Sequence, residues 1–114
     1  MLPKIQRIDF GNIRINNEEH KENDLILFWD GVHKKDKSHV MTLDNFKQLA
    51  IREPDIVIFG IGFNEGVKLD TRILREAQRE NIEVLVKKTP EALDEFKRLS
   101  HRGKRVAAMV HITC

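Results

Sequence analysis

From Ile56 to Phe59 four apolar residues follow one another without a polar break, between Pro54-Asp55 and Gly60. An unbroken run of that length predicts a strand covered on both faces, inside an α/β sheet. Gly60, Gly62 and Gly66 come next and predict a loop whose backbone turns sharply and stays bare of side chains. A second continuous apolar run, Leu25 to Trp29, and the mostly apolar stretches Ile82 to Val86 and Val106 to Ile112 predict three more strands. Between them the apolar spacing changes to that of a helix. Leu43, Phe46, Leu49 and Ala50 form one set, Ile73, Leu74 and Ala77 a second, and Ala92, Leu93, Phe96 and Leu99 a third. Thr42, Asp70 and Thr89 are the expected amino-terminal caps of these helices, with Pro90 at the first position of the last. Pro54, Asn81 and Gly103 are the expected stops.

Nearer the amino terminus, Ile5, Ile8, Phe10, Ile13 and Ile15 fall mostly on alternate positions around Gly11-Asn12, which predicts a β-hairpin. The polar stretch from Asn16 to Asn23 reads as an exposed loop, and His33 to His39 as a loop or hairpin tip. The second half of the chain is therefore strand, helix, strand, helix, strand with short links. Parallel pairing through right-handed crossovers is the expected arrangement.

Parallel pairing would place the carboxyl ends of those strands on one rim, beside the amino ends of two helices. That rim would gather Gly60, Gly62, Gly66, Lys87, Lys88, Thr89, His111, Thr113 and Cys114. Loop amides and helix dipoles present partial positive charge there, so a small anionic ligand is the natural guest. The glycine spacing, Gly-x-Gly-x-x-x-Gly, is one residue longer than the dinucleotide fingerprint, and no Gly-Lys-Ser or Gly-Lys-Thr follows it. No cofactor is expected on these grounds. The histidines at 20, 33, 39, 101 and 111 show no zinc-binding spacing on a helix, so no metal is expected either. His111 and Cys114, three apart in a strand, would point to opposite faces, and Cys114 reads as an inert thiol.

Length and charge narrow the setting. At 114 residues the chain suits one domain, and 20 basic against 18 acidic side chains, interspersed, give an ordinary solvated surface. Lys34, Lys35, Lys37, Arg102, Lys104 and Arg105 lack the interleaved aromatic residues of a single-strand binder, so nucleic acid is not an expected partner. One cysteine rules out an internal disulfide framework, and no apolar run approaches the length of a spanning helix. A cytoplasmic protein without a membrane partner is expected.

Trp29-Asp30-Gly31, Ser38-His39, Phe59-Gly60-Ile61-Gly62, Lys88-Thr89-Pro90-Glu91-Ala92 and the ending Arg105-Val106-Ala107-Ala108 to His111-Ile112-Thr113-Cys114 together resemble the small Mth-type domain of archaea and bacteria. The resemblance spans nearly the whole chain. It implies a single three-layer α/β domain, residues 1–114, with a central mixed, largely parallel sheet. Helices would cover one face of that sheet and a β-hairpin part of the other. The family has no established reaction, and its eukaryotic relatives include a mitochondrial complex I assembly factor. Family members commonly carry Thr where Ile61 stands. The expected function is a non-enzymatic binding, adaptor or assembly-factor role with a protein partner. The alternative is an anionic small-molecule binder or enzyme using the glycine rim.

Overall fold

The computed structural model describes residues 1–114. In chain order the elements are β1 (Ile5–Asp9), β2 (Asn12–Ile15), β3 (Glu18–His20), β4 (Asp24–Phe28), β5 (Gly31–Lys35), β6 (Val40–Met41), α1 (Leu43–Ala50), β7 (Ile56–Gly60), β8 (Lys68–Leu69), α2 (Arg72–Arg79), β9 (Glu83–Lys87), α3 (Thr89–His101) and β10 (Val106–Val110). The main sheet has five strands in the order β5-β4-β10-β7-β9. β10, β7 and β9 run parallel, as the alternation of strands and helices implies, whereas β4 is antiparallel to both β10 and β5. The sheet is thus mixed rather than largely parallel. The tight turn joining β4 to β5 requires those two to be antiparallel, and β4 also enters beside β10 in the opposite direction.

Alternate residues of the buried strands feed two cores. Ile56, Ile58, Val106, Ala108 and Val110 face α3 and the Ile13 and Ile15 side chains of β2. Val57, Phe59, Ala107 and Met109 face α1 and α2 through Phe46, Leu49, Ile73 and Ala77. Helices therefore cover both faces, and the small β1-β2-β3 sheet shares its side with α3 instead of standing opposite all the helices.

Two stretches read as loops contain strands. Glu18–His20 pairs with β2 across a two-residue turn in which Asn16 and Asn17 both have positive φ, the geometry of a type I′ hairpin. Gly31–Lys35 pairs with β4 as an edge strand, and its charge is what an unprotected edge carries. The α1 cap is as expected, with Thr42 and Asn45 forming a reciprocal capping box. Thr89 is not a cap: α3 begins at Thr89, with Lys88 in the cap position, and the hydroxyl is engaged elsewhere.

Candidate functional site

Register brings the carboxyl ends of the three parallel strands together, with Gly60 paired to Val110 on one side and Lys87 on the other. The loop after Gly60 is not an empty cradle. Its amides are bonded to the last residues of the chain: Phe63 N donates to the Thr113 oxygen at 2.7 Å, and Asn64 N and Gly66 N both donate to the Cys114 main-chain oxygen at 2.9 Å. A Cβ on Gly62, whose φ is +101°, would stand 2.2 Å from the Cys114 carbonyl carbon, and one on Gly66 2.9 Å from its oxygen. Gly60 answers a different need, since its Cβ would meet Val110 at 2.7 Å and Ala92 of α3 at 3.2 Å. Bare backbone is required here because the tail and a helix approach it. The fully buried Thr89 locks the arrangement, accepting from Gly62 N at 3.0 Å and donating to the His111 oxygen at 2.6 Å.

The tail is pinned residue by residue. His111 N donates to the Gly60 oxygen at 2.9 Å, and Gly11 N donates to the Ile112 oxygen at 2.7 Å. This path ends the strand alternation after Val110. His111 and Cys114 consequently do not point apart: their ligating atoms and that of His39 lie within 4.8 Å of one another. The His39 and His111 ring centroids are 4.8 Å apart.

Beneath this trio lies Asp24, the first residue of β4. Because β4 runs antiparallel to β10, its amino end arrives at the rim where the parallel strands finish. Asp24 and His111 are both fully buried, with Nδ1 2.9 Å from one carboxylate oxygen and 3.0 Å from the other. A carboxylate can only accept, so Nδ1 carries the proton and donates to it. Ser38 N, at 3.1 Å, and Ile112 N, at 3.4 Å, also donate to this carboxylate. The other ring nitrogen, Nε2, lies 3.0 Å from the Thr113 hydroxyl and accepts from it when the ring is neutral. The main chain at His39 is held by its neighbours, since Ser38 N donates to Asp24 and Lys68 N donates to the His39 oxygen at 2.9 Å, while the His39 ring is exposed.

Residues 5–111 match the model of a family described as "Protein of unknown function (DUF498/DUF598)". The chain belongs to this family. Among solved structures it is similar to a conserved hypothetical protein of Pyrococcus horikoshii OT3, with a TM-score of 0.84 and 25% identity over 97% of this chain and 99% of that one. It is likewise similar to a protein designated MT938, with a TM-score of 0.81 and 24% identity, covering 98% and 99% of the two chains. A Bordetella pertussis protein described as a Mth938-like domain gives a TM-score of 0.73 at 14% identity, covering 96% and 85%. These likenesses establish the Mth-type fold.

Within this Mth-type domain the expected rim residues are gathered, but not as a free anion site. Gly60, Gly62, Gly66, Thr89, His111 and Cys114 form one bonded assembly. Lys87 meets it only through the main chain, Ile61 N donating to the Lys87 oxygen at 3.0 Å, Lys88 stands at the cap position of α3, and both side chains are exposed. The three surface hollows lie elsewhere, and none includes a rim glycine. Asp24 and His39, neither of them among the expected rim residues, join this assembly beside His111. Asp24, standing at the head of an apolar run, was the available signal.

Proposed function

We propose that this Mth-type domain is a ligand-binding module rather than an enzyme, and that it works where His39 and Cys114 lie above the buried Asp24–His111 pair. The observation that carries this reading is the pair itself. Removing a carboxylate and an imidazole from water costs several kcal/mol before pairing offsets it, and apolar residues would fill the same space without that cost. Such groups, placed directly beneath two exposed ligand-bearing side chains, belong to a working site. Asp24, His111 and Thr113 have the spacing of a carboxylate–imidazole–hydroxyl relay. The nearby amides that could stabilise an oxyanion, those of Phe63, Asn64 and Gly66, are already bonded to the tail, which favours binding over catalysis.

The test follows the imidazole nitrogen resonances of His39 and His111 by NMR while inorganic phosphate and zinc are titrated separately. A working junction gives coupled shifts at both residues with at least one probe, and Cys114→Ala alters them. Silence from both histidines with both probes overturns the reading. An adaptor role stands second, supported by the hollow of about 360 Å³ lined by Phe28, His33, Ile51 and Arg52, in which Ile51 is 81% exposed. Ile51→Glu should abolish the binding of any partner that docks there, measured with the purified pair by calorimetry.

A further inference from the structure

We propose that His39, His111 and Cys114 form a three-ligand site for a divalent transition-metal ion of the zinc class. This rests on the junction reading and names its ligand. Two imidazoles and a thiol are the donor set that such borderline ions prefer, whereas calcium and magnesium take oxygen ligands. The three ligating atoms lie within 4.8 Å of one another. In a tetrahedral zinc site nitrogen and sulfur ligands stand about 3.3–3.6 Å apart, as follows from bonds of roughly 2.0 and 2.3 Å. Closure by about an ångström is therefore all that is required. His39 and Cys114 are exposed and can make it, while His111 is buried and fixed.

Two further features fit a metal. Asp24 holds Nδ1 of His111, the carboxylate–histidine arrangement that orients a metal-binding ring and raises its basicity, leaving Nε2 as the ligating nitrogen. On binding, the metal takes the Nε2 lone pair now offered to the Thr113 hydroxyl, and the Cys114 thiol gives up its proton to solvent. Three protein ligands leave a fourth position for water or for a small anion, as in zinc sites that are not purely structural. The glycine loop enters indirectly: by holding the Cys114 main-chain oxygen it presents the sulfur to the two rings.

The experiment titrates the full chain, reduced, with cobalt and zinc, and reads the thiolate-to-cobalt charge-transfer absorption together with calorimetric affinity. Wild type should bind one equivalent and show the charge-transfer band, and excess magnesium should not compete. Cys114→Ala should lose the band. His39→Ala, exposed and harmless to the fold, should lower zinc affinity by more than about 100-fold, the upper end of outer-partner effects, while Asp24→Asn should lower it by about 10–100-fold. Absence of the band in wild type, or unchanged zinc affinity in both Cys114→Ala and His39→Ala, overturns the metal site. If zinc leaves the two histidine resonances still while inorganic phosphate moves them, the metal proposal falls and the junction reading stands; if neither moves them, both fall.

Discussion

Gly62 and Gly31 separate two reasons for a glycine. At Gly62 the backbone has φ +101° and a Cβ would strike the Cys114 carbonyl carbon, whereas at Gly31 nothing lies within 4 Å and φ is ordinary. Gly62→Ala should cost about 1–3 kcal/mol from backbone strain alone. Each kcal/mol lowers Tm by roughly 4–8 °C in a domain near this size. Gly31→Ala should stay within about 0.5 kcal/mol of wild type in the same thermal scan. The need for bare backbone at residues 60, 62 and 66 could be read directly from the chain. What approaches it could not, because the neighbour is the chain's own tail some fifty residues later and local pattern carries no trace of that contact. His20 offers a second residue-scale test. Burial lowers its pKa below the usual 6.5, Glu18 opposing and Lys34 assisting, and its Nδ1 is buried without a partner. The unfolded chain therefore binds more protons just below pH 6.5, so stability is intact above that pH and falls as the solution is acidified. His20→Gln should flatten this decline in denaturant melts between pH 7 and 5. Asp70, pulled down to about 2 by the Arg72 guanidinium, keeps its contribution until far stronger acid.

Among the elements, the helices were the most legible because each carries its own punctuation. Thr42 and Asn45 cap α1 reciprocally, and Thr42→Ala should cost about 1 kcal/mol in a chemical melt. The start of α3 shows where local rules stop. Thr89 before Pro90 and Glu91 has the form of a cap, yet its hydroxyl bridges Gly62 N and the His111 oxygen, joining the loop, α3 and the tail. Thr89→Val keeps the shape and strands both groups. It should cost about 2–6 kcal/mol, at about 1–3 kcal/mol for each buried group left unpaired, and amide exchange should quicken at Gly62. β3 and β5 escaped notice for a related reason. Their strand character comes from backbone pairing at the margins of the sheets, where side chains face water and apolar alternation disappears.

At the scale of the whole molecule, the candidate site is a consequence of topology. Three parallel strands finish on one rim, and the antiparallel β4 inserts its first residue among them, so Asp24 meets His111 across 87 positions of sequence. The parallel half of the sheet followed from alternating strands and helices. The antiparallel half did not, because a run such as Leu25 to Phe28, buried on both faces, gives no sign of the direction of its neighbour. No helix is long and apolar enough to cross a membrane. Everything above the rim depends on the tail being seated in the glycine loop. The direct measurement is amide hydrogen exchange at Phe63, Asn64 and Gly66, comparing the full chain with one ending at Ile112. A seated tail makes these three amides slow in the full chain and fast after truncation, with inorganic phosphate restoring nothing in the full chain. Fast exchange in the full chain that phosphate then slows would mean an open anion cradle, and would contradict the positioning of Cys114 beside His39 and His111.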